Sequence, residues 1–162
     1  NIISAGKKVY AVGKIKDIFA GVGISEYVYT TGNEDGINKT LEYMDKDDAS
    51  LIFTNLVDYD MLYGHRRDID GYAKAVAYFD ERIPEIIGKM RDDDVLMITA
   101  DHGCDPGYDK TTDHTREYVP FLMYGKNIKP KNLGTRKTFA DMGATVLDYL
   151  SVESTIEGKS VL

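Results

Sequence analysis

Short apolar runs alternate with stretches of helical spacing along the whole chain. This is the pattern of an α/β protein built on a largely parallel sheet flanked by helices. Residues 8–13 (KVYAVG) and 26–30 (EYVYT) read as strands. Between residues 31 and 46, Ile37, Leu41 and Met44 fall four and then three apart, which is helical spacing. Residues 51–57 (LIFTNLV) are apolar almost throughout, as expected of a central strand covered on both faces. The best helix runs from about Asp70 to Met90, where Tyr72, Val76, Phe79, Ile83, Ile86, Ile87 and Met90 form one apolar stripe. Pro84 lies inside it and removes a backbone donor, so a kink or break is expected there. Residues 95–100 (VLMITA) give a buried strand and 119–124 (VPFLMY) another, with Pro120 implying an edge position or an irregular start. A last helix over about Phe139 to Leu150 carries Thr138 and Asp141 in capping-box positions. No repeat, linker or low-complexity tract interrupts this order, and 162 residues suit one domain with a sizeable core.

Composition adds mainly exclusions. With 43% hydrophobic and 29% charged residues the chain is ordinary for a globular protein. A formal net charge of -7 argues against general affinity for nucleic acid or anionic membranes. It leaves the substrate open, because a bound divalent cation reverses the field inside an acidic cleft. Cys104 is the one cysteine and cannot form an internal disulfide, so a reducing, cytoplasmic setting is expected. No apolar run approaches the ~20 residues of a membrane-spanning helix, and no secretory leader is visible. The chain starts Asn1-Ile2-Ile3-Ser4 without a methionine, which suits a processed start or an excised fragment.

The candidate chemistry gathers on the histidines. There are three, each close to an aspartate: Asp60 with His65, Asp101 with His102, and Asp113 with His114. The first two pairs directly follow predicted strands, where open α/β sheets place their ligand sites. His114 lies in the polar stretch 103–117 before the next strand. Three distant segments are thus expected to converge at one edge of one sheet. Mixed imidazole and carboxylate ligands suit borderline divalent metals such as manganese or zinc. Two such ions side by side clamp the attacking and leaving oxygens of a phosphoryl group. Asp60, His65, Asp101, His102 and His114 are about enough for one full site and half of another.

Four stretches resemble the phosphopentomutase family of alkaline-phosphatase-type enzymes. Residues 54–68 (TNLVDYDMLYGHRRD) look like that family's form of the first metal motif. Residues 99–103 (TADHG) resemble the second, which is shared widely in the superfamily. Residues 113–120 (DHTREYVP) are more specific to phosphopentomutases, and 9–21 (VYAVGKIKDIFAG) is similar too, away from the metal motifs. The resemblance implies that residues 1–162 are the C-terminal part of an alkaline-phosphatase-like core, with the nucleophile segment and cap domain absent. It implies one manganese ion held by Asp60, His65 and His114. It implies a second held by Asp101 and His102 together with an Asp and a Thr near the family's N-terminus, for which zinc or magnesium could substitute. That Thr carries the phosphoryl group in the family, and no residue here matches it, so no catalytic nucleophile is assigned. The implied parent activity interconverts ribose or deoxyribose 1-phosphate and 5-phosphate through a phosphothreonine. Its implied partners are the pentose phosphates and a sugar bisphosphate activator. The chain alone is expected to be inactive as a mutase.

Further residues invite roles. Lys14 could face the substrate phosphate or simply be solvated. Arg66 and Arg67, after a ligand, could orient phosphate or pair with Asp68. Arg116 and Glu117 belong to the stretch that resembles the family motif and could support His114. Asp58, two residues before Asp60, would share its face in a strand, supporting the metal or binding it. Two features depart from the family: Cys104 stands where Asn is expected, either a passive neighbour or a soft-metal or oxidisable thiol, and the stretch between His102 and His114 is about one residue longer. Competing readings are another superfamily member (phosphatase, sulfatase or phosphoglycerate mutase) and a non-catalytic metal-binding domain.

Overall fold

The computed structural model describes residues 1–162. Strand β1 (Lys8–Val12) forms the middle of a parallel sheet, between β2 (Glu26–Val28) and β3 (Ala49–Thr54). Its last four residues, Val9 to Val12, are all buried, because a central strand with both faces covered must be apolar throughout. The run 51–57 was expected to take that central place. Instead β3 lies at the sheet edge with half-buried side chains, and Phe53 is 41% exposed. Continuous hydrophobicity marks a strand without saying which strand is innermost.

Helix α1 (Ile15–Ile18) is a single turn after β1, and α2 (Asn33–Met44) covers the sheet. Ile37 and Tyr43 of α2 are buried, and the Tyr43 ring packs on Tyr10 at 5.0 Å between centroids. Val12 completes that cluster, with Val28, Ala49 and Ile52 around it. Thr40 ties α2 to the end of β3, its hydroxyl 2.7 Å from that of Thr54.

Helix α3 (Ile69–Lys89) starts at Asp68, whose side chain accepts from the Gly71 N–H at 2.9 Å. It runs through Pro84 without a break, so of the expected kink or break the break does not occur. Pro84 is exposed, so the carbonyl that loses its partner can face water. The predicted stripe is mostly half-buried: only Ile86 is fully covered and Val76 is 49% exposed.

The α/β class with a parallel sheet flanked by helices holds. The last two strands form their own antiparallel pair, β4 (Leu96–Thr99) with β5 (Phe121–Tyr124), rather than joining the parallel sheet. Pro120 stands just before β5, as an irregular start requires, and its carbonyl accepts from the Thr99 hydroxyl at 2.8 Å. Helix α4 (Ala140–Tyr149) closes the chain. Its predicted capping box does not form. Thr138 Oγ1 accepts from the Ala140 N–H, while Asp141 turns to Arg136 Nε at 2.7 Å and the Lys159 N–H at 2.8 Å. The Arg136 guanidinium is a charged donor, so it holds the carboxylate more strongly than the cap backbone N–H would. No helix is long and apolar enough to cross a membrane.

Candidate metal centre

The first ligand pair rides on an unusual turn. After β3 the chain enters a π-helix at Tyr59–Gly64, closed by a bond from the His65 N–H to the Asp60 carbonyl at 3.1 Å. In an α-helix, residues five apart would point about 140° away from one another. The wider π-turn brings them to one side, so His65 Nε2 lies 3.2 Å from Asp60 Oδ1. Gly13, at φ 81°, lets the end of β1 pass close by, since a β-carbon there would come 2.6 Å from the Asn55 carbonyl oxygen.

The second and third histidines are joined by a backbone bridge. Gly103 pairs with Thr115, whose N–H donates to the Gly103 carbonyl at 3.0 Å. This closes the intervening loop and stacks His114 on His102, with ring centroids 3.6 Å apart. The Thr115 hydroxyl accepts from the Asp105 N–H at 2.8 Å and donates to Glu117, so the longer loop is held at its base.

Asp60 Oδ1 is the hub. His114 Nε2 lies 3.4 Å from it, alongside His65 Nε2, and the Cys104 sulfur is 3.7 Å away. Asp60, His102 and His114 each offer a ligand atom, and those atoms all lie within 4.8 Å of one another. The segments do converge, but from the ends of two separate sheets rather than one edge of one sheet. The structure mixes the two expected ligand sets: His102 joins Asp60 and His114, while Asp101 is exposed and stands 3.7 Å from His102 Nε2.

The donor set fits a divalent cation. His65 Nδ1 bonds the Thr112 carbonyl, and His102 Nδ1 lies 3.1 Å from the Gly103 carbonyl. A carbonyl only accepts, so each Nδ1 donates and each Nε2 is left to face the centre. His65 Nε2 faces the Asp60 carboxylate at 3.2 Å, so the pair can share a cation, either a metal ion or a proton. The proton feels the same pull: the Thr112 carbonyl, and after it Asp60, raise the His65 pKa above its usual value. Thr112, Gly103 and Thr115 were missed as site residues, because backbone bonding across a loop leaves no side-chain signature.

The other candidates fall in several places. Asp58 does not share a strand face with Asp60, since β3 has ended at Thr54; its carboxylate accepts from the Asn33 N–H at 2.7 Å. Lys14 Nζ stands 2.7 Å from the Met61 sulfur, and Arg66 Nε donates to the Met61 carbonyl at 3.3 Å. Both cations therefore sit against Met61 of the ligand turn. Arg67 ends that turn in left-handed backbone at φ 55°. Neither arginine pairs with Asp68, which caps α3. Arg116 is exposed and makes no bond to His114. Cys104 is a protonated thiol, pushed up to about 11 by burial and then by Asp60.

Known proteins resemble the chain in sequence and in fold. The Metalloenzyme superfamily model matches residues 2–154. The chain is 58% identical over 159 residues to the phosphopentomutase of Lachnoclostridium phytofermentans, covering 98% of this chain and 40% of that protein. It is 59% identical over 161 residues to that of Acetivibrio thermocellus, covering 99% and 41%. The chain thus spans about 40% of the length of the curated relatives it matches. A crystal structure of Leishmania mexicana phosphoglycerate mutase at low cobalt concentration superposes with a TM-score of 0.72 at 20% identity. That likeness covers 98% of this chain and 37% of the other, and it shows the fold. With the superfamily model matched over nearly its whole length, the chain belongs to the metalloenzyme superfamily.

Proposed function

We propose that these residues form the metal-holding part of a phosphopentomutase, which interconverts ribose or deoxyribose 1-phosphate and the corresponding 5-phosphate. The observation that carries the reading is the convergence of Asp60, His102 and His114 within 4.8 Å, in a chain 58% identical to an enzyme of that name. Of these, Asp60 and His114 hold one ion together with His65, and His102, stacked on His114, supplies with Asp101 half of an adjoining second site. Manganese is the proposed ion, with zinc or magnesium as substitutes. Bound there, it would neutralise charge on a transferring phosphoryl group. The nucleophilic threonine and the remaining ligands belong to the part of the relatives that this chain does not match.

The chain's own residues prepare that site. The Thr112 and Gly103 carbonyls fix the His65 and His102 rings with Nε2 inward. Lys14 and Arg66, gathered at Met61, place positive charge beside the ligand turn for a sugar phosphate. Arg67 and Arg116 remain exposed cations for the same anionic substrate.

Two measurements test this. Mn²⁺ titration of the chain, followed by electron paramagnetic resonance, is expected to show binding that His114→Ala weakens at least about tenfold. Combining the chain with the remaining segment of the Acetivibrio thermocellus relative is expected to yield isomerisation of ribose 5-phosphate. Hydrolysis of simple phosphate monoesters without isomerisation would point to a phosphatase instead.

A further inference from the structure

We propose that Asn33 and Asp58 form a clamp that positions the Asp60 turn for metal binding, a role that rests on the metal reading above. The two residues are 25 positions apart and open different helices, Asn33 starting α2 and Asp58 preceding the π-helix. The Asn33 N–H donates to Asp58 Oδ2 at 2.7 Å, and the Asp58 N–H donates to Asn33 Oδ1 at 3.0 Å. Each side chain thus satisfies the other's backbone donor, at helix starts where no intrahelical partner exists. The Asp58 carboxylate also sits at the positive end of α2.

Several features show that this link is built rather than incidental. Asn33 is 6% exposed, and its Nδ2 is buried without a hydrogen-bond partner. A side chain there for solvation would turn that group outward; this one is kept inward by its oxygen. Gly32 leaves room, since a β-carbon would lie 3.0 Å from Asp58 Oδ2. Helix α2 is bound to the end of β3 as well, through Thr40 and Thr54. Both ends of the connector 55–57 are therefore referenced to one helix, and Asp60 follows two residues after Asp58. With Oδ2 committed to α2, Asp58 is a positioning residue and not a ligand.

The test is Mn²⁺ binding by electron paramagnetic resonance to the 162-residue chain and to Asp58→Ala, Asn33→Ala, the double variant and Asp58→Asn. Thermal unfolding in chelator is recorded for each. Thr145→Val, at a buried hydroxyl of α4 that accepts from the Val161 N–H, serves as a control destabilised elsewhere. Each alanine variant is expected to weaken binding about tenfold, as loss of a supporting partner does. The double variant is expected to bind no worse than either single one. Asp58→Asn keeps an oxygen for the Asn33 N–H and is expected to stay within about threefold of the unsubstituted chain. The control is expected to melt lower with unchanged affinity. Alanine variants that melt lower yet bind as tightly as the unsubstituted chain would reduce the pair to a helix cap and overturn the proposal. Asp58→Asn binding as poorly as Asp58→Ala would overturn it too, by showing that the charge itself is used. If an alanine variant does not fold, Asp58→Ser or Asn33→Ser, which keeps a capping hydroxyl but shortens the link, takes its place with the same expected loss and the same overturning result. An unsubstituted chain that binds no Mn²⁺ sinks the metal reading itself, and the clamp with it.

Discussion

Gly64 ends the π-helix against Cys104, and no side chain fits there. A β-carbon would overlap the Cys104 sulfur and come 3.0 Å from the Tyr59 carbonyl oxygen. Cys104 in turn touches Asp60, so pressure at Gly64 reaches the hub of the candidate centre. Gly64→Ala is expected to cost about 1–3 kcal/mol, the usual range for overpacking. Adding Cys104→Ala removes the sulfur and leaves that residue's β-carbon 3.7 Å away, an ordinary contact, so most of the loss should return. Urea unfolding of the single and double variants checks this; a double variant no more stable than Gly64→Ala would place the strain at Tyr59 instead. The histidines and their aspartates were legible in the sequence because their chemistry is rare and each follows a strand or polar loop. The partner of Asp58 was not, because it lies 25 residues away on another element and parity along a presumed strand pointed elsewhere.

At the scale of elements, period and apolarity located every strand and long helix to within a few residues. They did not reveal the π-turn, which has no distinctive period over six residues, nor the antiparallel pairing of β4 with β5. Pro84 shows why a breaker signal can be overridden. It sits on the solvent face of α3, and the helix is anchored to α2 from both sides of it, by Arg82 to Asn38 and Lys89 to Asp45. Pro84→Ala restores a backbone donor and is expected to stabilise the chain by about 1 kcal/mol or more, part of the ~3 kcal/mol an interior proline costs. A lower midpoint in urea would contradict this. Helix α4 offers a pH test. The Lys159 N–H, and with it Arg136, holds the Asp141 carboxyl below its usual range. Its folded pKa is therefore below the unfolded value of about 3.9, so the carboxylate's stabilisation is complete above that value. It is lost as pH falls through the folded pKa. Asp141→Asn should melt lower than the unsubstituted chain at neutral pH, with the gap closing in acid. A gap that persists unchanged at low pH would remove Asp141 from the account.

The whole molecule exposes more surface than its mass calls for. Its accessible area is 10352 Å², against roughly 8,100 Å² for a compact monomer of this mass. Only 19 of 162 residues are buried, so the stability available from the core is small. The excess is not polar fringe alone. Phe53 stands exposed on the edge strand β3 with Phe19 beside it, centroids 6.0 Å apart, and Ile18 and Val22 are open next to them. Leu122 and Tyr124 are exposed on the separate β4–β5 pair. An apolar edge strand with unpaired backbone groups is a template for association. Sequence pattern could not have given this, because it assigns faces without saying which strands find neighbours. The chain by itself is therefore expected to self-associate, with a sedimentation coefficient that rises with concentration. Phe53→Lys should weaken that association, since a charge on an edge strand blocks pairing while costing little at a half-exposed site. The variant should also leave Mn²⁺ binding unchanged, because β3 ends before the ligand turn begins. A chain that sediments as a compact monomer at every concentration would mean that the exposed strand faces are satisfied by rearrangement within one molecule.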